Sequence, residues 1–231
     1  MKATFEIKRT LLLLIAGSLS VVGTAAAELE SRAESPVGVR AEAWLALPSW
    51  PSLNDLQPAA GGSFKQIGYG LGAAAHWPVR QLGNGDLMLG IEGAIMATDS
   101  DVPALLDELL ARHGYVAVSA KWMAGRARNV SLDAGLGYHL VDIAQLETDY
   151  RSAGEFETWE ESAVGLFVGA TWDAGASKPG GDGGLSLGLK VHFVDFGTVR
   201  DEDVFIRPVL GTDAGELAGP IYALQIGYRW R

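Results

Sequence analysis

The sequence predicts an all-β fold: an eight-stranded antiparallel transmembrane β-barrel with one short helix in an extracellular loop. Three observations lead there. The chain begins with an export-type leader, eight later segments alternate apolar and polar residues, and the connections between those segments are short and long in turn.

The leader comes first. Lys2, Lys8 and Arg9 form a positive start, Leu11 to Gly23 is an apolar run, and Ala25-Ala26-Ala27 supplies the small residues that precede a signal-peptidase cut. Cleavage is expected after Ala27, so residues 1–27 are a signal peptide and residues 28–231 the barrel domain. The apolar run is shorter than the roughly 20 residues a spanning helix needs. No later window of the sequence reads as a transmembrane helix.

The eight segments follow. Residues 37–47 alternate Val39, Ala41, Ala43, Leu45 and Leu47 with Arg40, Glu42, Trp44 and Ala46. Residues 67–77 set Tyr69, Leu71 and Trp77 against Gly70, Gly72 and His76. In 87–96, Leu87, Leu89 and Ile91 alternate with Met88, Gly90 and Glu92. In 116–123, Val116, Val118 and Trp122 alternate with Ser119 and Lys121. In 130–140, Leu132, Leu136 and Tyr138 oppose Asp133, Gly137 and His139. Residues 163–172 set Val164, Leu166 and Trp172 against Gly165, Phe167 and Gly169. Residues 185–194 set Leu187, Leu189 and Phe193 against Gly188, Lys190 and His192. Residues 222–230 set Tyr222, Leu224, Ile226, Tyr228 and Trp230 against Ala223, Gln225, Gly227 and Arg229. Side chains of a strand point to opposite faces, so one face of each segment is apolar and the other carries glycine and charge. Soluble sandwiches also alternate, but glycine mixed with charge is poor material for a dry core. Each segment has about the 9–11 residues that a tilted strand needs to cross a bilayer, and the even count suits a bacterial barrel.

With the N-terminus inside, the connections near residues 78–86, 125–129 and 174–184 are periplasmic turns. Those near 48–64, 98–114, 142–161 and 197–219 are longer and face outward, the arrangement of outer-membrane barrels. The long connections hold most of the acids, among them Asp99, Asp101, Asp142, Glu155 to Glu161 and Asp201-Glu202-Asp203. Within the third, Val102, Leu105, Leu106, Leu109 and Leu110 share a helical face. Asp101 is placed to cap it, and the short helix is expected over 102–112.

Composition narrows the function. A net charge of -10 and no Cys exclude a basic nucleic-acid face, disulfides and thiolate metal sites. No cofactor or metal motif appears. The acidic connections offer weak divalent-cation binding, without EF-hand spacing.

The inward face gathers the candidate functional residues. Arg40, Lys121, Lys190 and Arg229 are expected to face Glu42, Glu92 and Asp133, with His76, His139, His192 and Gln225 nearby. A barrel of eight strands is just wide enough for side chains to fill. Buried charges must pair, so this set reads as a salt-bridged plug. The expected partners of Glu92 are Lys121 or Arg40. A narrow ion path is the alternative. A hydrolase acting on lipid A would need Ser, His and an acid together. Ser131, His139 and Glu92 are its nearest approach, on a face where an acyl chain does not fit.

The segments Leu136-Gly137-Tyr138-His139, Leu185-Ser186-Leu187-Gly188-Leu189 and Ala223-Leu224-Gln225-Ile226-Gly227-Tyr228-Arg229-Trp230 resemble small outer-membrane β-barrel proteins of the OmpA-like or opacity-antigen type. The resemblance spans roughly residues 36–231. It implies a non-enzymatic structural or surface-interaction role in contact with outer-membrane lipid and lipopolysaccharide. It also implies that Tyr222, Leu224, Ile226, Tyr228 and Trp230 form the signal read by the barrel assembly machinery. Arg231 follows Trp230, where such families often end on the aromatic itself. No peptidoglycan-binding domain follows the barrel, so that role is not carried over.

Overall fold

In the computed structural model, residues 39–55, 63–64, 67–101, 107–124, 129–147, 154–174, 183–200 and 214–230 are described. The leader and its cleavage point lie outside them. Eight long strands carry the fold: β1 (Arg40–Ser49), β2 (Tyr69–Leu82), β3 (Gly85–Asp101), β4 (Asp107–Ala124), β5 (Val130–Glu147), β6 (Gly154–Ala174), β7 (Gly183–Arg200) and β8 (Ala214–Trp230). Each pairs antiparallel with its chain neighbour, and β1 also pairs with β8, so the sheet closes on itself. Closure removes the unpaired edges a flat sheet would expose. A two-residue strand, Ser63–Phe64, adds to the end of β3. At the lower rim, β2 and β3 join through a two-residue turn in which Gly83 takes φ 63°. The primed turns of tight hairpins need such positive φ values.

The outward face of the lower two thirds is apolar. On β8, Tyr222, Leu224, Ile226, Tyr228 and Trp230 all point out, each more than two-fifths exposed. Leu132, Leu136, Leu166, Val168, Leu187 and Leu189 continue this band on β5, β6 and β7. Aromatics edge it on both sides: Trp172 and Trp230 below, and Tyr69, Tyr138, Phe193 and Tyr222 above. From Tyr222 to Trp230 the band is roughly 20 Å tall after allowing for strand tilt, close to that of an outer-membrane barrel.

Above the band the pattern turns inside out. Strands β3 to β8 run on past it, and there the apolar residues face inward. Ala111, Val141, Ile143, Val194, Phe196, Val199, Leu217 and Ile221 form one buried cluster. Outside stand Asp195, Glu216 and Glu160, all exposed, and a partly buried Arg112–Asp142 ion pair. A 3-10 turn after β1, Pro51–Asp55, drops Leu53 into that cluster beside Trp50.

Two expectations change. Residues 107–112 are strand, not helix: they pair with β3 on one side and β5 on the other, from Asp99↔Leu110 and Asp107↔Glu147 onward. Ladder bonds on both edges outweigh an apolar stripe that one helical face would have buried. Residues 102–106 lie outside the described residues. The long connections also shrink, because strand continues into them. Asp99, Asp142, Glu155 and Glu160 sit on β3, β5 and β6 rather than in loops. Asp201, Glu202 and Asp203 lie outside the described residues.

Candidate functional site: the lumen

Every lumen residue named from the sequence faces the barrel axis and is buried: Arg40, Glu42, His76, Glu92, Lys121, Asp133, His139, Lys190, His192, Gln225 and Arg229. They stack in layers. Lowest, Arg229 of β8 pairs with Asp173 of β6. Above it, Lys121 of β4 reaches Glu42 of β1 with donor distances of 2.7 and 2.8 Å. His76 Nε2 lies 3.0 Å from Ser119 Oγ.

At mid-height Lys190 stands between two carboxylates. It pairs with Glu92 and lies 3.3 Å from Asp133. Tyr115 donates its hydroxyl to Glu92 at 2.9 Å. The Lys190 ammonium also sits over the rings of Phe167 and Trp44, at 4.5 and 5.1 Å from their centres. The partner expected for Glu92 is therefore corrected: the lysine comes from β7, across the barrel. Lys121, on the strand next to Glu92, goes to Glu42 instead.

Glycine makes these reaches possible. In the strand register, His76, Gly90 and Ser119 form one row; Asp133, Gly169 and Lys190 form another; Thr171, Gly188 and Gln225 a third. Each row is polar, bare, polar. A Cβ on Gly169 would fall 2.8 Å from Lys190 Cγ and 2.9 Å from an Asp133 oxygen. The two side chains lean across the gap that glycine leaves.

Above the Lys190 layer lie aromatics and imidazoles. His113 and His139 share a hydrogen bond between Nε2 and Nδ1 at 2.9 Å. His192 packs on Tyr115 with ring centres 4.6 Å apart. Trp50 and Phe196 cover His113 from above at 5.7 and 6.0 Å. The apolar cluster then closes the upper mouth.

His113, Tyr115, Asp173 and the Trp50–Leu53 cap are absent from the sequence reading. Asp173 continues the alternation of Thr171 by one step. Ala111, His113, Tyr115 and Ala117 alternate just as well, a signal hidden beneath the apparent helix.

The arrangement fills the lumen with buried side chains. Among the described residues it does not bring together the Ser131, His139 and Glu92 named from the sequence. Ser131 and His139 lie eight residues apart on one strand, roughly 27 Å. The Ser119–His76 contact is fully buried, and His76 Nδ1 meets no acceptor that would orient it as a base. Among the described residues no helix is long and apolar enough to cross a membrane.

No protein-family model matches the chain, and no curated protein matches it. Among solved structures, the chain is similar to Neisserial surface protein A, at 14% identity over 83% of this chain and 94% of that one, with a TM-score of 0.41. It is also similar to Ail, the attachment invasion locus protein of Yersinia pestis, at 10% identity over 83% and 97%, TM-score 0.45. A third is the outer membrane protein OprG from Pseudomonas aeruginosa, at 10% identity over 84% and 95%, TM-score 0.41.

Proposed function

We propose that this chain is exported by cleavage after Ala27 and resides in a bacterial outer membrane. Its lumen is a permanent plug, and its role is non-enzymatic: envelope structure, or contact with other surfaces through the projecting upper rim. The observation that carries this is the inversion of pattern along the barrel. Below, apolar residues face out and charges face in, as lipid requires. Above, apolar residues face in and charges face out, as water requires. One boundary, at Tyr69, Tyr138, Phe193 and Tyr222, separates the two.

On this reading the lower rim is periplasmic and the capped rim extracellular. Tyr222, Leu224, Ile226, Tyr228 and Trp230 serve as the assembly signal for the barrel machinery. Outer-membrane lipid and lipopolysaccharide are the standing partners, and the acids on the projecting strands hold divalent cations weakly.

Two measurements test it. Unheated protein should run as a compact band on a gel and shift on boiling, and the mature chain should need detergent to stay soluble. An unshifted band from a freely soluble chain overturns the membrane reading. In a planar bilayer the pure protein should be silent. Steady openings would favour the narrow-channel reading, for which the charged lumen lining speaks. Lipid A altered after incubation with the protein would favour the enzyme reading.

A further inference from the structure

We propose that His113, His139 and His192 form a lumenal binding site for one divalent transition-metal ion of the zinc class, between the Lys190 layer and the apolar cap. The chain holds four histidines, and three meet here from β4, β5 and β7. All three are buried, at 3%, 0% and 0% exposure.

Their nitrogens are poorly spent. His113 Nε2 and His139 Nδ1 bond to each other. His113 Nδ1, His139 Nε2 and both nitrogens of His192 are buried without a hydrogen-bond partner. Buried polar atoms are nearly always satisfied, and an ion is one of the ways to satisfy them.

The spacing suits one ion. The ring centres lie 5.1, 5.6 and 6.2 Å apart. Three imidazoles around a tetrahedral zinc, with nitrogens at about 2.0–2.1 Å, have ring centres roughly 5–5.5 Å apart. As the rings stand, no three side chains among the described residues are set to hold an ion, because His113 and His139 face each other. Turning the rings about their side-chain bonds exchanges that hydrogen bond for metal bonds while the centres stay nearly in place. The His139 ring packs over Gly165 and Gly137, where a Cβ would lie 3.0 or 3.2 Å from its Nε2.

Charge points the same way. The buried charged residues described are Arg40, Lys121, Lys190 and Arg229 against Glu42, Asp86, Glu92, Asp133 and Asp173, one acid in excess. Directly below the histidines, Lys190 faces two carboxylates. That layer carries one net negative charge, which favours a cation above it. Neutral imidazoles without thiolates select zinc, nickel or copper over calcium and magnesium. A small crevice lined by Trp50, Thr98, Ala111 and Ile221 borders His113.

The test uses the tag-free mature chain refolded in detergent. Zn²⁺ is titrated by calorimetry, and Co²⁺ is followed by its visible absorption. The expected result is one ion per chain with a four-coordinate Co²⁺ spectrum. Losing even an outer-shell partner of a metal ligand costs about 10–100-fold in affinity, so His139→Ala and His192→Ala should each weaken binding at least tenfold. His76→Ala, outside the cluster, should change nothing. Each variant must first show the heat-shifted band; His139→Asn and His192→Asn replace any alanine variant that does not. The proposal fails if the wild type binds neither ion. It also fails if binding survives the triple variant His113→Asn, His139→Asn, His192→Asn, which would place the ion on surface carboxylates.

Discussion

Glu92 is the sharpest place to perturb the lumen. It is 3% exposed, pairs with Lys190 and accepts the Tyr115 hydroxyl. Breaking a buried pair by removing one partner costs about 3–5 kcal/mol. Lys190 keeps Asp133 at 3.3 Å, so Glu92→Ala belongs at the lower end. The orphaned Tyr115 hydroxyl adds about 1 kcal/mol, for roughly 4 kcal/mol in all. Glu92→Gln keeps an acceptor for Tyr115 and should cost less, about 1.5–3 kcal/mol. Lys190→Met strands two carboxylates together and should cost most, at or above about 5 kcal/mol. Exposed Glu160→Ala should stay within about 0.5 kcal/mol. Urea unfolding in lipid vesicles reads the series. With a slope of about 2–3 kcal/mol/M, Glu92→Ala moves the midpoint down by roughly 1–2 M. Equal midpoints for Glu92→Ala and Glu160→Ala would remove Glu92 from the buried network. A Lys190→Met milder than Glu92→Ala would refute the two-to-one charge arrangement.

Gly169→Val places two methyl groups between Lys190 and Asp133 and should destabilise by about 2 kcal/mol or more in the same unfolding assay. Ala134→Val, on the lipid face of β5, should be nearly neutral. Leu189→Arg puts a cation in the middle of the outward band and should cost about 2–4 kcal/mol in vesicles; a soluble barrel would tolerate it. Trp50→Ala removes a cap residue packed on His113 and Phe196 and should cost about 3 kcal/mol. That variant should still be silent in a planar bilayer, because the Lys190 and Lys121 layers close the lumen below. Steady conductance from it would locate the seal in the cap alone.

Strand faces were legible throughout the membrane band because lipid and lumen impose opposite demands on adjacent residues. Leu187 and Lys190 cannot exchange faces without a charge entering the bilayer. A one-residue slip would expose every inward group at once, so alternation fixed both strand and side. Above the band that contrast fades. Asp107 to Arg112 lie beyond the lipid, where outward positions need only be polar, and their leucines fit a helical stripe as well as a strand. What decides is the pairing with Asp99 and Glu147, a contact between residues far apart in sequence. The cap was hidden for the same reason. Trp50 and Leu53 look like loop residues until β8 brings Leu217 and Ile221 beside them.

Pairing inside the lumen is a different problem, because facing inward does not say at what height. Two inward residues meet only if register sets them level and nothing stands between them. Lys121 and Asp133 are direct register partners, yet the lysine crosses the barrel to Glu42. Lys190 and Asp133 are separated by a strand, yet they meet, because Gly169 lies in the row between them. The same bare position lets His76 reach Ser119 past Gly90. Glycine on the inward face therefore carries pairing information: it marks rows where a long side chain reaches its second neighbour rather than its first. In an eight-stranded barrel this is how a buried ion gains partners without more room, since the interior is only as wide as the side chains that fill it. The abundance of inward glycine and the complete burial of the ions are then one design seen from two sides. Enlarging a row glycine should unmake the ion pair it spans before it disturbs the strand.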